Sequence, residues 1–471
     1  MKLLTLVSCV ALAAAKRPPP VQSHQIEFSE RSYTPGNVIT RDVCIIGGGA
    51  TGTYAAMRLR DMGKTVAVVE REAALGGHTR SYKVPGTNTS VDFGVQGYSD
   101  IEIVRRFFGR FDIPLVNATM DWGNIDFVDF RTGQYLPGHR LPDSTFEKYG
   151  AEVAKYPYLD WTSDIPMPVP EDLTMPFGKF VEKHSLQEIV PRLAIEAQGL
   201  SDILRLPTLS VIRAVGPQFL TDLQTHVLVT ARRNNHELYE KALLELGDDA
   251  LLSSHVVATQ RLPGQMGVKV IAMTPDGTRL IKAKKLLVTI PPKMNNMFAF
   301  GLDDIESSLF AQFNSKAWYV ALVSNTNLPK TTPIMNANPL GPYNLPSLPG
   351  LAMILPTHVE GIHLVKYLSA YPIPDALVKS QIRTSVAEIA TPSSEGVKKT
   401  AAEIEILAYH AHVPFDLTVT SAAIKNGFYH KLNAIQGHRS TWYTGGAFLS
   451  YHSANLWNFT EALLPRIVRE L

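Results

Sequence analysis

The stretch from Arg41 to Arg80 constrains this chain more than any other. Val43–Ile46 is an apolar run with the length of a short buried strand. Gly47-Gly48-Gly49-Ala50-Thr51-Gly52 follows at once in the spacing G-x-G-x-x-G. Gly47 permits the tight turn out of the strand, Gly49 lets a pyrophosphate approach the backbone, and Gly52 lets a helix pack closely on the sheet. Thr53–Met62 reads as that helix, with Ala55, Ala56, Leu59 and Met62 on one side and Arg58, Arg60 and Asp61 on the other. Gly63 suits its end. Thr65–Val69 is a second, β-branched strand that ends in Glu70, about 20 residues past the glycines, where a carboxylate binds a ribose hydroxyl pair. An acid there disfavours a 2′-phosphate, so the unit fits NAD or FAD better than NADP. A glycine-rich turn without a ligand would account for the glycines, but not for strand, helix, strand and acid in register.

Leu75-Gly76-Gly77-His78-Thr79-Arg80 comes next, then Val91-Asp92-Phe93-Gly94-Val95-Gln96-Gly97-Tyr98. A glycine pair just after the ribose acid lets the backbone pass close beneath a long dinucleotide, which an enzyme using NAD alone does not need. On these segments the chain resembles the flavin-containing amine oxidoreductase superfamily, whose members carry G-x-G-x-x-G, L-G-G-R and an acid-x-G-x-Q segment. Two distant pieces extend the resemblance. Leu252–Val257, Gly267–Met273, Asp276-Gly277 and Lys285–Ile290 with Pro291-Pro292 are similar to the central strands that return to the nucleotide domain, touching adenine near Val256. Trp442–Ala447 and then Ser453–Arg469 are similar to the strand and helix that close over the flavin. Within the superfamily, the G-G-H-T-R variant and the N-terminal signal most resemble the β-cyclopiazonate dehydrogenase-like oxidoreductases, which oxidise specialised metabolites and often close rings.

The resemblance implies an α/β fold: a Rossmann-like FAD-binding domain with an interleaved α+β substrate domain, amine oxidase-like. Residues 41–117, 246–301 and 432–471 would form the discontinuous FAD domain, and residues 118–245 and 302–431 the substrate domain. It implies FAD contacts from Gly47, Gly49, Ala50, Thr51, Gly52, Glu70, Arg71, Gly76, Gly77, His78, Gly94, Val95, Gln96, Val256, Gly445, Gly446, Asn455 and Leu456. In amine oxidases of this superfamily a lysine near a strand start bridges through water to the flavin. Lys316 in Asn314–Val320 holds that place here, although a surface lysine at a strand start fits the same pattern.

Three departures set the chain apart from an amine oxidase. His78 stands where arginine is expected and cannot make a permanent bidentate phosphate contact. Ala447 replaces an acid after the second glycine pair. Asn455 occupies a position of the aromatic cage, with Tyr451, His452 and Trp457 nearby. His78 offers a phosphate- or ribityl-side hydrogen bond, with a histidyl link to the flavin as the alternative. A cysteinyl link is excluded, because the C-terminal half has no cysteine. The other histidines, His410 and His412 included, lack a carboxylate at metal-ligand spacing, so no metal site is expected.

Elsewhere Phe177–His184, His236–Leu246 and Ala376–Ile389 read as helices, and Trp318–Ser324 and His363–Leu368 as strands. Ile165–Pro176 and Pro329–Pro356 are proline-rich connections that either cover a pocket or form irregular surface.

At 471 residues and 45% hydrophobic, the chain can bury a large core, and two domains are expected. Lys+Arg at 45 against Asp+Glu at 43 leaves no strong field, which argues against nucleic acid or an anionic membrane as partner. Met1–Ala15, with Lys2, an apolar run and the small residues Ala13-Ala14-Ala15, reads as a secretory signal peptide. Sequons at Asn88, Asn117 and Asn458 would accept N-glycans in a secreted or lumenal protein, and no apolar run reaches the ~20 residues of a membrane span. Past the signal only Cys44 remains, a small buried hydrophobe without a disulfide partner.

The chain is therefore expected to be an FAD-dependent oxidoreductase that abstracts hydride from a C–N or C–C centre of a hydrophobic specialised metabolite, with oxidative cyclisation as an extension. No second nucleotide motif is visible, so O2 is the expected acceptor. The alternatives are a flavin-dependent isomerase or desaturase of an unsaturated lipid or isoprenoid, and a flavin-binding scaffold without turnover.

Overall fold

The computed structural model describes residues 27–141, 146–197, 199–262, 264, 266–389, 391–392, 394 and 396–471. Met1–Ala15, read as a signal peptide, lies outside the described residues.

Val38–Ile46 is the central strand of a seven-stranded sheet, parallel on one side to Val66–Val69 and on the other to Gly277–Val288. Its last four residues are wholly buried, Cys44 among them, as a parallel strand covered on both faces requires. Its middle residues, Thr40–Asp42, are polar and tied from outside the core: Arg41 donates to Asp249 at 2.6 Å, and Lys284 pairs with Asp42 at 2.8 Å. Gly277–Val288 pairs antiparallel with Val268–Thr274 along its first half, and its end pairs parallel with Thr441–Tyr443. The carboxyl ends of the parallel strands, at Ile46, Val69, Val288 and Tyr443, thus meet at one edge, where an open α/β sheet binds its ligands.

The helix Ala50–Asp61 leaves the glycine loop one turn earlier than the sequence suggests, because Gly49 is already its extended N-cap. The C-terminal helix Ser453–Arg469 is laid across it. Trp457 donates its indole N–H to the Ala50 carbonyl at 3.0 Å and stacks on Tyr54 with ring centroids 5.9 Å apart.

A second seven-stranded sheet runs in the order Glu405–Thr418, Asn314–Ser324, His363–Ser369, Gly350–Pro356, Ile334–Asn336, Asp126–Asp129 and Gln134–Tyr135. Strand side chains alternate between faces. Tyr319, Ala321, Val365 and Tyr367 pack on the helix Asp375–Glu388 through Val378, Ile382 and Val386. Val320, Leu322, Leu364, Met335 and Met353 face the other way, towards Ile195 of the helix Val190–Glu196. Trp318, Lys366 and Leu368 share the parity of that second face.

Residues 227–246 bind to the nucleotide side. Asn235 donates to the Val95 carbonyl at 2.9 Å, and His236 lies 3.0 Å from the Thr79 carbonyl, so this segment supports the Gly76–Val95 stretch from below. Among the described residues no helix is long and apolar enough to cross a membrane.

Candidate functional site: a dinucleotide cleft against an apolar cavity

A cleft of about 430 Å³ runs along the carboxyl edge of the first sheet. Its floor is backbone. Gly47 sits at φ +102°, and a Cβ there would lie 2.7 Å from Thr289 Oγ1; a Cβ at Gly52 would lie 1.9 Å from the Gly47 carbonyl oxygen. These two glycines are required by the protein's own packing. Gly49 is different, since a Cβ there would meet nothing nearer than Gly77 Cα at 3.8 Å. The space over Gly49 is open to the cleft. Gly76 donates its N–H to the Gly48 carbonyl at 2.8 Å, so the two glycine stations form one continuous cradle.

Glu70 closes this cradle from the side. Its Oε2 accepts from Gly48 N–H at 2.6 Å and its Oε1 from Glu72 N–H at 2.8 Å, which leaves lone pairs on both oxygens for ribose hydroxyls. Ser254, His255 and Val256 line one end, and Thr444, Gly446, Ala447, Ser453 and Leu456 line the rest.

Histidines furnish the opposite wall. His78 stacks on His412 with centroids 4.0 Å apart and planes 15° apart, and His410 lies 5.0 Å from His412. Burial, aided by the nearby Arg80 and Arg71 charges, pushes the His78 pKa down to about 4. Burial first, then Arg80, pushes His410 to about 3. Both rings are neutral at pH 7. The permanent charge expected two residues earlier comes instead from Arg80, which lines the cleft with its Nε buried and unpartnered among the described residues. An open glycine cradle, a carboxylate with spare lone pairs and a guanidinium whose buried Nε lacks a partner among the described residues together fit a dinucleotide diphosphate and its ribose.

A second cavity, about 480 Å³, lies over the second sheet. Phe127, Ile195, Met335, Met353 and Leu368 line it with the loops 199–205 and 337–348, so the part of Pro329–Pro356 that covers the pocket is the loop between its strands Ile334–Asn336 and Gly350–Pro356. Ile165–Pro176 does not reach it. Lys366 stands at its inner end, 2% exposed, donating to Gln96 Oε1 at 3.0 Å, and burial pushes its pKa down to about 7 despite the Glu196 charge. Cleft and cavity share one wall. Trp318 lines the cavity, Phe415 lines the cleft, and their rings meet edge to face at 4.9 Å.

Of the residues expected from sequence, Gly47, Gly49, Ala50, Thr51, Glu70, Arg71, Gly76, Gly77, His78, Val95, Val256, Gly446 and Leu456 line the cleft. Gly52, Gly94 and Gly445 lie behind it as packing glycines: a Cβ at Gly94 would sit 1.9 Å from the His78 carbonyl, and one at Gly445 3.0 Å from the Thr289 carbonyl. Gln96 points to Lys366 rather than into the cleft. Asn455 is turned away, its amide donating to the Asp160 carbonyl at 2.8 Å. Lys316 lines neither space; it is buried in an ion pair with Asp416, which does line the cleft. Sequence reasoning missed Lys366, Trp318 and Phe415, although Arg80 was legible in the G-G-H-T-R motif. Glu152, Asp172 and His184 also come together, but the two ring nitrogens of His184 face different carboxylates, at 3.1 and 2.9 Å, and cannot converge on one ion.

The description NAD(P)-binding Rossmann-like domain fits residues 45–111. The chain is 39% identical over 477 residues, 100% of both chains, to the FAD-dependent oxidoreductase pigF of Monascus ruber. It is 35% identical over 436 residues to beta-cyclopiazonate dehydrogenase of Aspergillus oryzae, covering 92% of this chain and 94% of that one. Among solved structures, a redesigned putrescine oxidase superposes with a TM-score of 0.66 at 15% identity, over 92% of this chain and 100% of the other, which shows a shared fold.

Proposed function

The chain belongs to the FAD-dependent oxidoreductase family that includes beta-cyclopiazonate dehydrogenase, and from that premise we propose that it removes hydride from a C–N or C–C centre of a hydrophobic specialised metabolite, with O2 as final acceptor. The observation that carries this reading is the single aromatic wall between the dinucleotide cleft and the apolar cavity. The cavity and the cleft meet at Trp318 and Phe415, and because hydride transfer needs the reacting atoms about 3–3.5 Å apart, the substrate's reacting carbon has to pass these rings to reach the cleft.

FAD, when bound, supplies the electron-pair acceptor. The chain's residues do the rest. The Gly47–Gly49 and Gly76–Gly77 backbones bind the diphosphate, Arg80 adds a fixed positive charge, and Glu70 accepts the ribose hydroxyls. The neutral His78–His412 stack and the Trp318–Phe415 wall exclude water. Lys366 Nζ, with its pKa near neutrality, exchanges a proton with bound substrate. The lysine role expected of Lys316 passes to Lys366, because only Lys366 faces the cavity.

Export through Met1–Ala15 is part of the proposal. So are N-glycans at Asn88 and Asn117, both exposed. Asn458 is left out, because its sequon threonine, Thr460, is fully buried and donates to the Leu456 carbonyl at 2.7 Å.

The test is anaerobic mixing of FAD-loaded protein with beta-cyclopiazonate and a panel of hydrophobic metabolites, followed by air. Loss of the oxidised flavin absorbance, its return in air and peroxide matching product are expected. Double-bond isomers without peroxide would replace the reading by an isomerase, and a flavin oxidised throughout the panel would replace it by a scaffold.

A further inference from the structure

One buried donor in the cavity lining has no acceptor among the described residues. It is the indole Nε1–H of Trp318. Its position is held by neighbours on other sides: Phe415 meets the ring edge to face, His412 lies 5.8 Å away, and a Cβ at Gly199 would touch Cε3 at 2.7 Å. Cε3 and Nε1 lie on opposite edges of an indole, so the N–H edge is turned away from Gly199. Lys366 Nζ is 5.8 Å from the Trp318 ring centroid and brings an ammonium to the lining on the same face of the sheet.

Asn336, Asn338 and Arg205, also in the lining, are occupied with the fold. Asn336 accepts from Phe130 N–H and donates to the Leu351 carbonyl at 2.6 Å. Asn338 accepts from Leu340 N–H and Arg131 and donates to Ser347 Oγ at 2.9 Å. Arg205 pairs with Asp202 at the mouth, 3.2 Å apart. A buried N–H donor left without an acceptor costs free energy, and a ligand that brings one recovers it.

We propose that Trp318 and Lys366 form an oxygen-binding pair, and that the substrate is an apolar molecule whose carbonyl or enolate oxygen accepts from the Trp318 indole N–H beside the Lys366 ammonium. This rests on the cavity being the substrate site of the oxidoreductase proposed above, and it names the feature that would orient the oxidised centre. The burial that brings the Lys366 pKa to about 7 has the same consequence, since an enolate beside it restores the charged form. An amine substrate would place its cation against a lysine and offer a donor to a donor.

The pair is tested by calorimetric titration of FAD-loaded protein with 2-acetylnaphthalene, 2-ethylnaphthalene and 2-naphthylmethylamine. These share an apolar body and differ in the polar group. The ketone is expected to bind about tenfold more tightly than the hydrocarbon, with the amine weakest. Trp318→Phe, which keeps an aromatic ring and removes the N–H, should cut the ketone preference about fivefold and leave the hydrocarbon affinity near wild type. Lys366→Met, checked for FAD content and thermal stability, should cut it independently. Equal affinity for ketone and hydrocarbon, tighter amine binding, or a ketone preference unchanged in both variants would overturn the proposal. Titration needs no turnover, so a preserved ketone preference with an unreactive flavin would refute the redox reading alone.

Discussion

Gly49→Ala separates what the fold needs from what the cofactor needs. A Cβ at Gly49 comes no nearer than 3.8 Å to Gly77 Cα, and its φ of −72° and ψ of −167° are open to any residue. In the FAD-free protein the substitution should therefore move stability by less than about 1 kcal/mol. The new methyl fills the space through which the diphosphate reaches the backbone, and a 100-fold loss of FAD affinity, about 2.7 kcal/mol, is expected. With FAD at 100 times the wild-type Kd, binding stabilises wild type by about 2.7 kcal/mol and the variant by only about 0.4. A chain of this size shifts its Tm by about 1 °C per kcal/mol, so FAD should raise the wild-type Tm by about 3 °C and the variant's by under 1 °C. Gly52→Ala is the control. Its Cβ would sit 1.9 Å from the Gly47 carbonyl oxygen and 2.9 Å from Thr289 Oγ1, so it should melt early with or without FAD. Thermal unfolding of three proteins with and without FAD decides the matter. Wild-type FAD affinity in Gly49→Ala would refute the diphosphate path, and early melting without FAD would refute the claim that the space is free.

Acid should destabilise the protein through its buried histidines. His78 and His410 are held neutral with pKa values of about 4 and 3, below the unfolded value of about 6.5. The unfolded chain therefore binds protons that the native state refuses. This stability is fully present above pH 6.5 and is lost as pH falls from 6.5 towards 4, by about 3 kcal/mol at most for His78. The check is Tm between pH 7.5 and 5 for wild type and His78→Asn, with a shallower fall in the variant; parallel curves would count against it. Lys316→Met leaves the Asp416 carboxylate half-buried without its partner and should cost about 2 kcal/mol, discounted for the remaining exposure of Asp416. Adding Asp416→Asn should restore most of that loss in denaturant melts, whereas additive losses would show that the pair is not coupled.

The cofactor unit was legible because its requirements are local. A tight turn at Gly47 and a close approach at Gly52 are conditions on the backbone within a few residues, and only glycine meets them. The boundaries were less legible for an equally physical reason. Only Val43–Ile46 reads as an apolar run, yet the strand begins at Val38, because the charges of Arg41 and Asp42 find Asp249 and Lys284 outside the core. Which lysine faces the cavity is decided at longer range. Lys316 and Lys366 both sit on strands of the same sheet, and register decides between them: Lys316 lies opposite Phe415 at an irregular stretch of pairing and turns to Asp416, while Lys366 lies opposite Val320 on the cavity face. No local pattern distinguishes the two. Asn455 illustrates the same limit, since its partner is the Asp160 carbonyl, far away in the chain.

The shared wall explains why the cofactor can be read from the chain more readily than the substrate can. Gly199, at φ +88°, sits where a Cβ would lie 2.3 Å from Phe415 Cε1 and 2.7 Å from Trp318 Cε3, so it lets a ring from the cleft and a ring from the cavity touch. Those rings are contributed by two strands paired antiparallel, and the glycine by a loop from a different part of the chain. A change on the substrate side of Trp318 therefore pushes on Phe415 and through it on the cleft, because close-packed rings transmit displacement. Gly199 apart, the loops 200–205 and 337–348 line the cavity further out. If the cavity takes the substrate as proposed, its range can diverge at the cover, while the Gly199, Trp318 and Phe415 contact holds the cavity floor in place against the cleft.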